Sequence, residues 1–299
     1  MLVFGAGAIG SLIGGLLSIE NDVTLVARKA HADVVNRRGL RIAGTTTRLA
    51  HPTATTEVPT DAPDVIFVAT KAYDTASAVD ALRAFWRRST FVTLQNGLGN
   101  AETLAAKAER VVAGATSHGV TFAGPGEIVH AGAGDTVVGP FAGATRADAE
   151  RIANALTAVG LATRVVYDPR PELWAKAIVN AAINPLTAVL RVSNGVLVGS
   201  EDLRALVERL AREGAEAAHA AGMPLDPRTA AANAVDVATR TAENRSSMLQ
   251  DVERGGRTEI EAITGELLRA AAAKRLRLPY NQTVYALVKG LDRSIGKTG

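Results

Sequence analysis

MLVFGAGAIGSLIGGLLSIENDVTLVA, residues 1 to 27, carries the pattern that decides the fold. A short apolar strand, Met1 to Phe4, runs into Gly5-Ala6-Gly7-Ala8-Ile9-Gly10, a G-x-G-x-x-G match. It opens a helix ending near Glu20, and a second apolar strand follows from Val23 to Ala27. The bare motif is weak, but strand, glycine turn, helix and strand together predict the βαβ unit that holds a dinucleotide pyrophosphate at a helix N-terminus. Gly5 permits the tight turn, Gly7 lets the backbone approach the phosphates, and Gly10 allows close helix packing. An acidic residue after the second strand would hold a ribose 2′-hydroxyl. Arg28-Lys29 stands there instead, with Glu20 and Asp22 at the wrong end, so the basic pair points to a 2′-phosphate and hence NADP.

Two further apolar strands, Asp64 to Thr70 and Thr90 to Leu94, end in Lys71-Ala72-Tyr73 and Gln95-Asn96-Gly97. Lys71 and Asn96 thus sit at matching carboxyl ends, where ligands bind in open α/β sheets. Asn-Gly is also an ordinary turn signal. Residues 33 to 60 read as irregular, with β-like runs at Leu40 to Ala43 and Thr47 to His51. The glycine-punctuated pieces between Val111 and Val138 predict an antiparallel extension of the sheet. A helix over Arg146 to Val159 and a strand over Ala162 to Tyr167 complete a first domain, residues 1–168, and Asp168-Pro169-Arg170-Pro171 marks the boundary. Residues 169–299 carry only helical patterning: Asp202 to Ala221, about Pro227 to Glu243, Thr258 to Lys274 and Tyr280 to Leu291. The expected fold class is α/β, an N-terminal Rossmann-type dinucleotide-binding domain followed by an all-helical C-terminal domain.

The second domain opens on ELWAKAIVNAAINPL, residues 172–186. This mostly apolar helix places Lys176, Asn180 and Asn184 on one face at i, i+4 and i+8. Asn is a poor helix former, so a stripe of this kind suits ligand contact better than a solvated face. Pro185 removes a backbone hydrogen bond, which predicts a bend and a freed carbonyl near Ala181. Asn244-Arg245-Ser246-Ser247-Met248-Leu249-Gln250-Asp251 reads as a helix start. Its serine hydroxyls and N–H groups can bind a carboxylate or simply cap the helix. Thr258 with Glu261 spells a Thr-x-x-Glu capping box, which leaves Glu259 unexplained.

Composition narrows the function further. The chain has no cysteine, which removes disulfides and thiolate chemistry, and no two of its five histidines have a metal-ligand spacing, so no metal is expected. A net charge of +3 spread along the chain, with 4% aromatics, argues against a nucleic-acid surface. The uncharged N-terminal run is preceded by no Lys or Arg and is interrupted by five glycines, so it reads as neither signal peptide nor membrane span, and a cytoplasmic protein is expected.

GAGAIG, TKAYD, QNGLGN, ELWAKAIVNAAINPLTAV, Ser193-Asn194-Gly195, NRSSMLQD and RTEIE occur in that order, and together they resemble the ketopantoate reductase family over nearly the whole chain. The resemblance implies NADPH-dependent reduction of 2-dehydropantoate (ketopantoate) to (R)-pantoate in pantothenate and coenzyme A biosynthesis. It implies Lys176 as proton donor and Asn180, Asn184, Asn194, Asn244 and Ser247 as the substrate pocket. Glu259 resembles the acidic residue near cofactor and substrate, counted with the catalytic group. Gly5 to Gly10, Arg28, Lys71, Asn96 and the backbone near Val120 resemble the cofactor contacts. The implied partner is a small 2-oxo acid, with no nucleic acid and no membrane, and the assembly is open between monomer and homodimer. Two alternatives stand beside it: an NADP-dependent reductase of another 2-oxo or hydroxy acid, and a regulator that senses NADPH without turnover. The retained Lys176 and Glu259 speak against the regulator.

Overall fold

The computed structural model describes residues 1–295, and the chain divides into two compact units. The first holds Met1–Gln95 and Asn100–Pro169. The second holds the short loop Asn96–Gly99 and the chain from Arg170 onward.

In the first unit β1 (Leu2–Phe4), α1 (Ala8–Leu17) and β2 (Thr24–Val26) form the βαβ start, followed by α2 (Lys29–Arg38). Then come β3 (Leu40–Gly44), β4 (Arg48–Ala50), β5 (Thr53–Thr55), β6 (Val65–Val68), α3 (Thr75–Ala81), β7 (Thr90–Thr93) and α4 (Asn100–Ala105). β8 (Arg110–Thr116), β9 (Gly119–Gly124), β10 (Glu127–Gly132), β11 (Thr136–Ala142), α5 (Arg146–Ala158) and β12 (Thr163–Val165) complete it. The main sheet has eight strands in the order β12-β11-β8-β7-β6-β1-β2-β5, parallel except for the β8/β11 pair. All four residues of β6, Val-Ile-Phe-Val, are buried, as a parallel strand covered on both faces requires. Leu12, Ile13 and Leu16 of α1 pack with Val3 and Leu25 in the core on one side. Leu2, Ile66, Val68 and Phe91 form the core on the other.

Two sequence expectations are corrected here. Residues 33 to 60 are not irregular: α2 runs through Arg38 and β5 joins the main sheet beside β2. The apolar signal in α2 is narrow, since only His31, Ala32 and Val35 are buried in an otherwise polar helix, which hides its period. The strands from 110 to 142 are not one antiparallel extension. β8 and β11 enter the main sheet, whereas β9 and β10 build a separate four-stranded sheet, β4-β3-β10-β9, in which β10 runs parallel to β3.

Among the described residues of the second unit the regular elements are all helices. The unit comprises α6 (Arg170–Leu190), α7 (Asn194–Gly199), α8 (Glu201–Ala220), α9 (Pro227–Arg240), α10 (Ser247–Glu253), a π-helical turn (Glu261–Gly265), α11 (Glu266–Ala273) and α12 (Pro279–Ile295). Ile178, Ala181, Ala182, Ile183 and Leu186 of α6 lie in its core with Leu210, Ala211 and Ala215 of α8. Small residues let these helices approach closely: a Cβ added to Gly214 would meet the Ile178 side chain at 3.1 Å. α6 is the one helix among the described residues long and apolar enough to cross a membrane, but 61% of its apolar window is buried inside the protein, as in a core helix. The helix continues through Pro185, which has no N–H to give the Ala181 carbonyl.

Candidate active site

The register of the parallel strands aligns their carboxyl ends. Phe4 pairs with both Val26 and Val68, and Val68 pairs with Thr93, so the segments after β2, β1, β6 and β7 emerge along one edge. Gly5 N and Ala6 N donate to Val26 O at 3.2 and 3.1 Å, and Ala69 N donates to Phe4 O at 2.8 Å, which fixes the glycine turn to the sheet. Gly5 has φ +100°, and a Cβ there would lie 2.7 Å from Thr70 N. At Gly10 a Cβ would sit 2.2 Å from the Gly5 carbonyl oxygen, so no other residue fits without moving backbone. Gly7 differs. It is exposed, and a Cβ there meets nothing within 4 Å of the protein itself. α1 starts at this residue with no side-chain cap and no acidic residue in its first turn. An open approach to uncapped N–H groups at a helix N-terminus is what an anionic group such as a pyrophosphate fits.

Arg28 is exposed at this edge as the N-cap residue of α2, and its carbonyl accepts from His31 N and Ala32 N at 2.9 and 3.1 Å. Lys29 instead pairs with Asp33 one turn on, at 3.0 Å. Lys71 is half-buried just beyond β6. Val120 lies on β9, in the second sheet, against the core that Ile9 also borders.

The polar residues of the second unit centre on α6. Lys176 Nζ donates to Asn96 Oδ1 at 2.7 Å. Sequence pattern puts Asn96 at a strand end of the first domain, and the family resemblance implies a cofactor contact there. The structure places it in the loop that belongs to the second unit, as the partner of the lysine. Two contacts hold the loop there: Leu98 N donates to Ala262 O at 2.8 Å, and Gly97, at φ +83°, lies so close that a Cβ would be 2.5 Å from the same oxygen. Ala262 is inside the π-helical turn, where Gly265 N bonds back to Ile260 O across five residues. This π turn is the feature that sequence reading misses, and it carries no composition signal. Such turns recur at functional sites.

Burial pushes the Lys176 ammonium down to about 8, against the Glu259 carboxylate, which raises it. Glu259 is itself 5% exposed. A lysine poised between its two forms near neutral pH is suited to proton transfer. Asn180 and Asn184 follow on the same face at successive turns, Asn180 half-buried and Asn184 buried.

Around the far end of α6 the structure separates two serines. Ser246 caps α10, accepting from Leu249 N at 3.1 Å, and its hydroxyl lies 2.7 Å from Thr187 Oγ1 of α6. Ser247 is the first helical residue and is half-buried. Asn194 N donates to Asn244 O at 3.0 Å while Asn194 Nδ2 donates to Thr241 Oγ1 at 2.8 Å, so Asn194 ties down the turn that carries Asn244. The expected Thr258 to Glu261 capping box is absent. Thr258 pairs with Asp292 through its hydroxyl and its N–H, at 3.0 and 3.1 Å, while Glu261 accepts from Tyr285 OH and Lys289 Nζ. Three residues from α12 outcompete the local cap.

Comparison with known proteins agrees with this architecture. Residues 1–143 match the family model "Ketopantoate reductase PanE/ApbA" and residues 168–292 match "Ketopantoate reductase PanE/ApbA C terminal". The chain is 39% identical over 294 residues to the 2-dehydropantoate 2-reductase of Archaeoglobus fulgidus, covering 98% of each protein. A crystal structure of a PanE/ApbA family ketopantoate reductase from Ralstonia eutropha is similar at 30% identity and a TM-score of 0.89, over 99% of this chain and 100% of that one. The ternary structure of D-mandelate dehydrogenase with NADH and anilino(oxo)acetate shares the fold, with a TM-score of 0.93 at 24% identity over 99% of both chains. By family model, full-length identity and fold, the chain belongs to the ketopantoate reductase family of oxidoreductases.

Proposed function

We propose that the protein reduces the C2 carbonyl of 2-dehydropantoate to (R)-pantoate with NADPH, a step of pantothenate and coenzyme A biosynthesis, with residues 1–168 binding the dinucleotide and residues 169–299 the 2-oxo acid. The observation that carries the reading is the Lys176 ammonium, half-buried, hydrogen-bonded to Asn96 and set on one helix face with Asn180 and Asn184. Bound NADPH supplies the hydride. Lys176 supplies the proton to the carbonyl oxygen and stabilises the negative charge that grows there. Asn96 orients the ammonium, and Glu259 keeps it protonated to higher pH than burial alone would allow. Asn180, Asn184, Asn194, Asn244 and Ser247 hold the polar atoms of the substrate. Gly5 to Gly10, Lys71 and the Val120 backbone hold the dinucleotide, and Arg28 contacts its 2′-phosphate. Purified protein should consume NADPH when ketopantoate is added and not without it. Consumption with another 2-oxo acid of a substrate panel but not with ketopantoate would move the reading to a different substrate of the same chemistry, a shift that the fold shared with a D-mandelate dehydrogenase makes worth testing.

Two substitutions test the assigned ends of the site. Arg28→Ala should raise the KM for NADPH about tenfold or more, the loss expected for a charge-assisted contact, and leave that for NADH nearly unchanged. Equal losses with both cofactors would make Arg28 structural. Ser247→Ala should weaken ketopantoate binding without changing NADPH affinity. The Leu249 N–H cap belongs to Ser246, so the substitution spares the cap and tests substrate contact alone.

A further inference from the structure

Deep in the first unit a chain of hydrogen bonds ends on the glycine turn. Gly126 N, in the turn between β9 and β10, donates to His31 Nδ1 at 3.0 Å. A backbone N–H can only donate, so Nδ1 is the acceptor and Nε2 carries the proton. Nε2 lies 3.2 Å from Ser11 Oγ, which must then accept from it. The single hydroxyl proton of Ser11 is left for Ala6 O, at 3.1 Å. Every proton in the series Gly126, His31, Ser11, Ala6 is thereby assigned, and all point one way. His31 is 3% exposed and Ser11 is fully buried, so water does not compete. Burial also lowers the pKa of His31, which favours the neutral ring that this pattern needs. Phe122 closes one side, its ring centroid 5.1 Å from that of the histidine.

The two ends of this chain matter because both touch segments that face the dinucleotide. Ala6 is within the glycine turn, where Gly7 N donates back to Gly5 O at 2.8 Å, and anchoring the Ala6 carbonyl to Ser11 keeps that oxygen from turning toward a bound anion. His31 is in the first turn of α2, and its own N–H bonds to the Arg28 carbonyl at 2.9 Å. One buried residue therefore joins the glycine turn, through its ring, to the Arg28 cap, through its backbone. We propose that His31 is a positioning residue for the dinucleotide, acting through Ser11 on the Ala6 carbonyl and through its backbone on Arg28. The inference rests on the NADPH reading above and adds to it a residue that touches neither cofactor nor substrate.

The experiment is a double-mutant cycle on NADPH affinity, measured by fluorescence titration of the full chain, with melting temperature recorded for each protein. Ser11→Ala removes the link to Ala6 together with the acceptor of the His31 Nε2–H, and leaves the Gly126 to His31 bond in place. His31→Phe keeps the ring volume but neither accepts from Gly126 nor donates to Ser11. Each should raise the Kd for NADPH about tenfold, the scale of one lost buried hydrogen bond, and the double variant should be no weaker than the weaker single, because one chain is broken once. At saturating NADPH, kcat and the KM for ketopantoate should stay within about twofold of wild type, a split that general destabilisation does not produce. A folded Ser11→Ala protein with unchanged Kd, or losses that multiply in the double variant, overturns the inference while leaving the NADPH reading intact. Wild-type protein that takes up no NADPH overturns both.

Discussion

Lys176→Ala should lower kcat for ketopantoate reduction at least about 100-fold, within the range of about 10² to 10⁴ typical of general acid catalysis, while the Kd for NADPH changes little. The carbonyl oxygen of the bound ketone is a weak base, and the oxygen formed as hydride arrives is a strong one. An ammonium beside it therefore stabilises the transition state more than the substrate, and its loss falls on kcat. Lys176→Arg should recover little. Its guanidinium keeps the charge but does not give up a proton near neutral pH, and its planar fork does not match the single short bond from Nζ to Asn96 Oδ1. Near-normal turnover by folded Lys176→Ala protein would remove the proton-donor assignment.

Gly97→Ala should be the next most damaging change, although the residue has no chemistry of its own. A methyl group at φ +83° costs about 1 to 2 kcal/mol in the left-handed region, and here it would also press on the Ala262 carbonyl oxygen and Cβ, at 2.5 and 2.8 Å. Relief requires the loop to lift off the π-helical turn, which breaks the Leu98 to Ala262 hydrogen bond and carries Asn96 away from Lys176. A charge-assisted hydrogen bond contributes about 1.5 to 3 kcal/mol, so kcat should fall about 10- to 100-fold, measured beside the melting temperature to separate displacement from unfolding. Gly97→Ala protein of normal kcat would show that the loop does not set the lysine.

Much of this is legible in the sequence because it depends on local period and backbone chemistry. The glycine turn can be read from residues 5 to 10, since positive φ at Gly5 and contact at Gly10 are constraints that only glycine meets. The stripe Lys176, Asn180, Asn184 follows from helical spacing alone. What escapes depends on distant pairing. Asn96 follows a strand and reads with the sheet, yet its hydrogen-bond partner is 80 residues away. Thr258 and Glu261 spell a capping box, but Asp292, Tyr285 and Lys289 on a later helix offer stronger partners. β9 and β10 have the right strand chemistry, and only the pairing of β10 with β3 places them in a second sheet.

The dependence of kcat/KM for ketopantoate on pH, at saturating NADPH, tests the central claim most directly. In the proposed mechanism reduction draws a proton from Lys176, so the active form is the ammonium. Its population is nearly complete below the pKa of about 8 and falls as pH rises through it. The rate should therefore be level on the acid side of that value and decline about tenfold per pH unit above it, with no such limb in the residual activity of Lys176→Ala. A profile that stays flat or rises from about pH 7 to pH 10 would contradict the assignment of Lys176 as the group that delivers the proton.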